Sequence, residues 1–195
     1  MTDATVLIDE APLQDRDLLQ RMSLYFDAVD HRLRQGEGWF IFNARMGRSR
    51  RIASFIQTRL AEHQPKVSYV LMPWRDFAIS AYVTEVGLPE LAPSVTESPR
   101  RQHEFDLATR VTIQTWTSVV SADLLVLVGL KPTARHEAEL LDRALERRHR
   151  ERLATILLAP DMPQQLEAEF GELDPGLGYW DRIFGRMYER SLVAL

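Results

Sequence analysis

The sequence contains no cysteine among its 195 residues. This absence excludes disulfide scaffolds, thiolate catalysis and cysteine-based zinc or iron–sulfur sites. Long apolar runs are also missing, because the longest nearly apolar stretch, residues 124–130, is far shorter than the ~20 residues of a membrane-spanning helix. The N-terminal residues are acidic where a signal peptide would be basic and then apolar. We therefore expect a cytoplasmic protein without a membrane partner.

Metal-binding patterns and overall positive charge are missing as well. The five histidines show no pair at a metal-binding spacing; they are His31, His63, His103, His136 and His149. We therefore predict no metal site and no cofactor. The net charge is −4, so no global positive field draws the protein to nucleic acid.

The composition is that of a soluble globular domain. Apolar residues make up 45% and charged residues 27% of the chain, and both values are ordinary for a globular protein. A chain of this length predicts one domain, residues 1–195. Residues 1–17 are predicted to be a loose lead, and the proline-rich residues 87–100 a mobile surface loop.

Short apolar runs alternate with helical patterns along the chain. The runs at 39–42, 67–72, 124–128, 155–158 and 192–195 predict buried strands. Helical spacing predicts a leading helix within 18–35 and further helices over 52–60, 74–86 and 105–119, from 132 onward, over 163–170 and over 180–190. This alternation predicts an α/β fold, with a central parallel sheet of about five strands and helices on both faces. We expect the 124–128 strand in the middle of the sheet.

The helix that begins near residue 132 has an arginine-rich outer face. Opposite charges alternate along this face, so we interpret it as a solvated surface with weak ion pairs. The arginines are Arg143, Arg147, Arg148, Arg150 and Arg152, and the acids are Glu139, Glu146 and Glu151.

The turn after the first strand is also rich in arginine. Ligands of open parallel sheets bind beyond the C-terminal ends of the strands, which is where residues 43–51 are expected. Arginines at a helix N-terminus, where backbone N–H groups and the helix dipole attract negative charge, predict an anion- or nucleic-acid-binding site. Its residues are Arg45, Arg48, Ser49, Arg50 and Arg51. The alternative is a solvated basic turn.

Seven short segments stand in a recognisable order and spacing: 36–42, 51–53, 67–70, 122–127, 141–148, 153–158 and 182–186. Together they resemble the AAA+ ATPase domain of DnaC- and IstB-type proteins, which are replicative helicase loaders and transposition helper ATPases. The resemblance extends from about residue 18 to residue 195. It implies a three-layer P-loop NTPase-like fold with an AAA+ core, here without a lid domain.

The phosphate-binding residues that this resemblance implies are mostly absent. In an ungapped alignment the family glycines fall on Asn43, Met46 and Arg48, the lysine on Ser49 and the magnesium-binding hydroxyl on Arg50. A shift of one residue places Arg48 at the lysine and Ser49 at the hydroxyl, but the glycines are still missing. Glycines matter there because the backbone must wrap closely around phosphate with its N–H groups pointing inward.

Two further parts of the family's active site are absent. The acidic pair that follows the central strand falls on Val128 and Gly129, and the polar sensor residue falls on Pro160. Those carboxylates hold magnesium and help to position the attacking water. Three losses together predict a pseudo-ATPase without catalytic residues.

The resemblance also implies an arginine finger near the C-terminus, which would act on the nucleotide of a neighbouring subunit. Arg182 or Arg186 matches its position. The alternative is that both are surface arginines of a helix.

These observations lead to one principal hypothesis and two alternatives. The principal hypothesis is a catalytically inactive AAA+-like adaptor or regulatory subunit in DNA replication, transposition or a mobile-element system. Its partner would be an AAA+ ATPase, a helicase or another transposition or replication factor, with weak non-specific DNA binding in addition; its oligomeric state is left open. The alternatives are a diverged NTPase or phosphotransferase that binds phosphate through Arg48 and Ser49, and a structural subunit of a larger assembly.

Overall fold

The computed structural model describes residues 15–86, 113–176 and 178–195. The predicted loop at 87–100, the beginning of the helix predicted at 105–119 and most of the predicted lead lie outside these residues.

Helices and strands alternate as the sequence predicts. In chain order they are α1 (Arg16–Asp27), α2 (Val29–Gln35), β1 (Gly38–Ile41), α3 (Met46–Glu62), β2 (Tyr69–Pro73), α4 (Trp74–Val86), helical residues 113–121 (α5), β3 (Leu124–Val128), α6 (Arg135–Arg150), β4 (Ala154–Leu158), α7 (Pro163–Leu173), α8 (Tyr179–Arg190) and β5 (Ser191–Ala194).

The strands form one five-stranded sheet in the order β2-β3-β4-β1-β5, and the paired strands run parallel. The predicted parallel sheet is therefore confirmed. The expectation that strand 124–128 lies in the middle is wrong, because β4 occupies the centre. Both β3 and β4 are buried along their whole length, so their apolar character indicates an interior strand but does not distinguish one interior position from another.

Helices cover both faces of the sheet, which gives the predicted three layers. Alternate residues of a strand point to opposite faces. Trp39 and Ile41 of β1 accordingly pack with apolar residues of α1, α2 and α3. Phe40 packs on the other face, in a cluster with residues of α4 to α8.

The predicted leading helix is broken into α1 and α2 at Ala28. The apolar residues keep helical spacing across the break, which is why the sequence pattern does not reveal it. Each piece directs a carboxylate to α3 or its end: Asp27 forms an ion pair with Arg59, and Asp30 lies 2.9 Å from His63.

One arginine of the predicted solvated face lies in the core instead. Arg148 is 1% exposed, and the interpretation of this residue as part of a solvated stripe is wrong. Its guanidinium donates to the carbonyls of Val119 (2.8 Å), Ala122 (2.9 Å) and Ala154 (2.6 Å), and to the hydroxyl of Thr155 (3.0 Å). Val119 lies in the last turn of α5 and Ala122 directly follows this helix, where the last carbonyls of a helix lack partners within it. Arg148 therefore joins α5 and α6 to the central strand.

Candidate anion-binding turn and arginine pair

The arginine-rich turn lies where a ligand would be expected in this sheet. Residues 42–45 connect β1 to α3. After β1 the chain continues to β2, at one edge of the sheet, and after β4 it continues to β5, at the opposite edge. The carboxyl ends of β1 and β4 therefore flank the point where the strand order reverses, which is the usual ligand crevice of open parallel sheets.

Backbone hydrogen bonds tie this turn to the neighbouring segments of the sheet. The amides of residues 42, 43 and 44 donate to the carbonyls of Ala194 (2.8 Å), Asp161 (3.2 Å) and Ala159 (2.8 Å), respectively. A phosphate-binding loop directs such amides inward at its ligand. Here each of the three amides has a carbonyl partner in the segment that follows β4 or at the end of β5.

Arg48 completes the closure of the turn. Its Nη1 donates to the carbonyls of Phe42 (3.0 Å) and Asn43 (3.1 Å), and its Nη2 donates to Asp15 Oδ2 (2.9 Å) and to the backbone oxygen of Leu195 (3.0 Å). The guanidinium thus faces oxygen atoms of the turn, and carbonyl oxygens oriented in this way repel an anion. Arg48 joins the turn to the N-terminus of α1 and to the end of β5.

Ser49 and Arg45 have internal partners as well. The Ser49 hydroxyl is buried and donates to the carbonyl of Met46 at 2.8 Å. Arg45 Nε donates to the carbonyl of Pro160 at 3.2 Å, and its Nη2 lies 3.7 Å from Asp161. Arg50 is exposed and Arg51 is half-buried. Of the five residues predicted to bind an anion, Arg45 and Arg50 are thus exposed, and Arg45 already has partners in Pro160 and Asp161.

The positions of the family's acidic pair lie at the end of β3, where the sequence places no carboxylate. The amides of Gly129 and Leu130 both donate to the carbonyl of Leu158, at 2.9 and 2.8 Å. Lys131 follows, with its ammonium 3.2 Å from Asp161 and 3.1 Å from Glu169. Hydrogen bonds with Glu169 and then with Asp161 raise the pKa of Lys131. The charge beside the crevice is therefore a cation already paired with two carboxylates.

The two candidate finger arginines share one partner. Arg182 Nε lies 3.0 Å from Asp142 Oδ2, and Arg186 forms an ion pair with Asp142 Oδ1. Asp142 belongs to α6 and is buried, so the pair joins α8 to α6. The guanidinium of Arg182 also lies 4.8 Å from the centre of the Tyr179 ring.

Sequence reasoning missed the roles of Asp142 and Arg148. Leu141 and Leu145 are buried apolar residues of α6. Asp142 directly follows Leu141, and Arg148 lies three residues after Leu145. A charged residue beside the buried face of a helix was the available signal, but an arginine-rich surface gives the same pattern.

No group of metal-binding side chains occurs within residues 15–86, 113–176 and 178–195. No described helix is long and apolar enough to cross a membrane.

The sheet order, with a helix after β1 and the turn between them, defines the fold class as P-loop NTPase-like. The DnaC helicase loader is similar to this chain at 14% identity, over 96% of this chain and 93% of that chain, with a TM-score of 0.60. DnaI is similar at 15% identity over 100% of this chain and 94% of that chain, with a TM-score of 0.61. A Streptococcus pyogenes serotype M3 protein is similar at 17% identity over 100% of this chain and 96% of that chain, with a TM-score of 0.54.

No protein-family model matches the chain, and no curated protein matches it significantly. The fold is that of the DnaC-type AAA+ domain, as the sequence resemblance implies. Because a fold hosts many functions, the function has to be argued from the site.

Proposed function

We propose that this chain is a non-hydrolysing AAA+-type adaptor or regulatory subunit that binds a protein partner in DNA replication. The observation that supports it best is the closed turn after β1. Its amides at 42–44 are bound to carbonyls, and Arg48 donates to the turn's own oxygens. These contacts hold the turn in place without the family's phosphate-binding glycines, and Val128 and Gly129 offer no carboxylate for a magnesium ion.

A nucleotide titration tests the first half of this proposal. If the dissociation constant for ATP–Mg²⁺ is above 1 mM, then 1 mM nucleotide stabilises the folded chain by less than about 0.4 kcal/mol, which raises the melting temperature by less than about 2 °C. We expect no larger shift and no release of phosphate. Magnesium-dependent hydrolysis that persists through repurification and is lost in Ser49→Ala would contradict the proposal, and would favour the diverged NTPase.

The similarity to a helicase loader supports a replicative helicase, or another replication ATPase, as the partner. The test is light scattering of a mixture of this chain with the replicative helicase of the same organism. We expect a complex of defined stoichiometry. If the helicase elutes without this chain while a transposition ATPase retains it, the role belongs to transposition. If neither protein binds, the adaptor proposal is wrong.

Arg182 is the better candidate for a finger that acts on the partner's nucleotide. Its side chain is 41% exposed, against 20% for Arg186. An arginine finger contributes on the order of 10³-fold or more in rate. We therefore expect Arg182→Ala to lower the partner's stimulated ATPase rate by that order, and Arg186→Ala to lower mainly the melting temperature. An unchanged rate in both variants refutes the finger.

The turn also supports weak DNA binding, with Arg50 as the contact. Arg45 and Arg50 are both exposed, but Arg45 and Arg48 direct donors to oxygens of the protein. Each neutralised phosphate adds about 0.9 to the slope of log affinity against log salt. Arg50→Glu should lower this slope by about 1, whereas Arg34→Glu, an equal charge change at an exposed position on α2, should leave it unchanged. If both variants lower the salt dependence of DNA affinity equally, the effect comes from net charge and not from a contact of Arg50 with DNA.

A further inference from the structure

The two edges of the sheet differ in how they are covered. β5 forms one edge and β2 forms the other. A charged side chain covers β5, because Arg21 Nη2 donates to the carbonyl of Val193 at 3.1 Å. Proteins commonly use a charged side chain at an outermost strand to prevent another strand from pairing there. The β5 edge is therefore protected against a further strand.

At β2, Tyr69 and Leu71 direct their backbone groups away from the sheet. β2 pairs with β3, and the carbonyl of Ser68 accepts the amide of Leu124 at 3.2 Å. The backbone groups of alternate residues point to the same side of a strand, so Val70 also faces β3. The N–H and C=O groups of Tyr69 and Leu71 face the opposite side. They form no hydrogen bond there with residues 15–86, 113–176 or 178–195.

The side chains of β2 do not protect this edge either. The strand is Tyr-Val-Leu-Met-Pro, without a charged residue, and Tyr69 is 37% exposed. Pro73 has no N–H group, but it is the last residue of the strand, where it takes no hydrogen bond from the Tyr69 and Leu71 positions. An edge strand with unpaired backbone groups and apolar side chains is a template for another strand.

The free backbone groups of β2 are complementary to themselves about a two-fold axis at Val70. In an antiparallel pair, two opposite residues can exchange both of their N–H···O=C hydrogen bonds. With a second copy in this orientation, Tyr69 would exchange both bonds with the partner's Leu71, and Leu71 would do so with the partner's Tyr69. This register requires no N–H group from Pro73. A two-fold contact of this kind is the commonest symmetry of protein dimers.

The charges at the two ends of β2 favour the same antiparallel arrangement. Lys66 precedes the strand and is exposed; its ammonium donates to the carbonyl of Ala61 at 2.6 Å, and no carboxylate of the described chain pairs with it. Asp76 follows the strand, in the first turn of α4.

Asp76 lies on the outer side of α4. The groove between α4 and α6 is lined by residues 74, 75, 78, 79 and 82 of α4. Since successive residues of a helix are about 100° apart, Asp76 lies on the side of α4 away from this groove, above the free edge of β2. An antiparallel copy therefore brings Lys66 of each chain toward Asp76 of the other, whereas a parallel copy would place like charges side by side.

We propose that β2 is an interface between two copies of this chain, which pair antiparallel through their free edges into one continuous sheet. The inference does not depend on the proposed function, because it involves neither the arginine-rich turn nor α8. The contact is centred on one short strand, so we expect the weak, reversible association of a small interface, with a dissociation constant between about 10 µM and 1 mM.

A disulfide tests the register directly, because the chain contains no cysteine. Val70 would lie opposite the partner's Val70 in a non-hydrogen-bonded pair, whose Cα atoms are about 4.5 Å apart. A disulfide accepts Cα distances of about 4.4–6.8 Å, so Val70→Cys should form a covalent dimer under mild oxidation. The control is Leu192→Cys on the β5 edge. Leu192 is more exposed than Val70, so it would react at least as fast if random collision were the cause.

Sedimentation equilibrium of the full chain, from about 10 µM to about 1 mM, tests the association itself. We expect a monomer–dimer equilibrium that Tyr69→Lys weakens about tenfold or more, because a lysine on an edge strand opposes pairing. Tyr69 is exposed, so the melting temperature should stay near that of the wild type. Leu192→Lys is the matched control, an equal charge change at a residue that is 38% exposed on the other edge, and should leave the association unchanged.

A charge exchange tests the ends of the strand. Lys66→Asp and Asp76→Lys should each weaken the dimer severalfold, and the double variant should restore it, because the exchange recreates both pairs of unlike charges.

Three results would overturn the proposal. The first is a chain that stays monomeric at about 1 mM, and the second is a disulfide that forms equally well in Leu192→Cys and Val70→Cys. The third is a monomeric chain whose complex with the replicative helicase is lost in Tyr69→Lys, since β2 would then pair with a strand of that protein and not with a second copy.

Discussion

The buried guanidinium of Arg148 gives the sharpest test of how this fold is held together. It donates to three backbone carbonyls and one hydroxyl, and no carboxylate in the described chain forms an ion pair with it within 4.0 Å. Burial lowers the pKa of Arg148 to about 10, although Asp123 and Glu151 act in the opposite direction. The group is therefore still charged at pH 7, and the carbonyl dipoles, including the negative C-terminal end of α5, stabilise that charge.

Arg148→Met retains much of the apolar stem and removes every donor. The carbonyls of Val119, Ala122 and Ala154 then stay buried without this partner, at a cost of about 1–3 kcal/mol each, while the cost of burying the charge is relieved. With that relief subtracted from the cost of the three unsatisfied carbonyls, we expect the free energy of unfolding to fall by about 3–5 kcal/mol. For a domain of this size, this corresponds to a decrease in melting temperature of about 6–20 °C.

The assay is chemical and thermal unfolding followed by circular dichroism, with Arg147→Met as the control. Arg147 is the preceding residue of the same helix, but its side chain is 51% exposed and its partner is the exposed Glu151. That substitution should cost at most about 0.5 kcal/mol. The free energy of unfolding of Arg148→Lys should lie between those of Arg148→Met and Arg147→Met, because one ammonium group cannot reach all four acceptors. If Arg148→Met unfolds at the same denaturant concentration as Arg147→Met, the account of Arg148 as a structural donor is wrong.

Three further predictions concern the sheet and its first helix. Val126→Asp should abolish cooperative unfolding, since Val126 is fully buried and an unpaired charge there costs several kcal/mol; a melt near that of the wild type would mean that β3 is not interior. Gly38→Ala should be strongly destabilising, because a Cβ would lie 1.8 Å from a carbonyl oxygen of β4, whereas Gly171→Ala, with nothing within 4 Å, should be neutral or stabilising. Burial raises the pKa of Tyr25, whose hydroxyl donates to the carbonyl of Glu37. The protonated Tyr25 therefore contributes fully to the free energy of unfolding below the unfolded-state pKa of about 10, and this contribution is lost as the pH rises above that value. Tyr25→Phe should reduce this alkaline loss of stability, and an unchanged pH profile would refute the assignment.

Much of the fold could be predicted because burial leaves a direct trace in the sequence. Strands covered on both faces require continuous apolar runs, and the runs at 124–128 and 155–158 correspond to β3 and β4. The order of strands leaves no such trace. The position of β4 at the centre depends on crossovers, which apolar content does not encode. The break at Ala28 was missed for a similar reason, since both halves retain the same helical spacing.

The candidate site could be located from the sequence, but its internal contacts could not. The residue pattern places arginines at the start of α3, and the structure has them there. The acceptors of Arg48 come from positions as distant as Asp15 and Leu195, and only the folded sheet brings them together. Arg148 illustrates the same limit, because a guanidinium that binds backbone carbonyls needs no acidic partner at a recognisable spacing.

The closed turn bears on how such an adaptor could be regulated. A ligand shifts a conformational equilibrium only by the difference in its affinity for the two states. If the amides at 42–44 and the guanidinium of Arg48 keep their internal partners, ATP and ADP have no differential contact through which to select a state of this chain. A change in its activity would then have to come from surfaces that remain open, such as α8, where the Arg182 side chain is 41% exposed. Under the proposed function, the adaptor would follow the nucleotide state of its partner and not that of a nucleotide of its own.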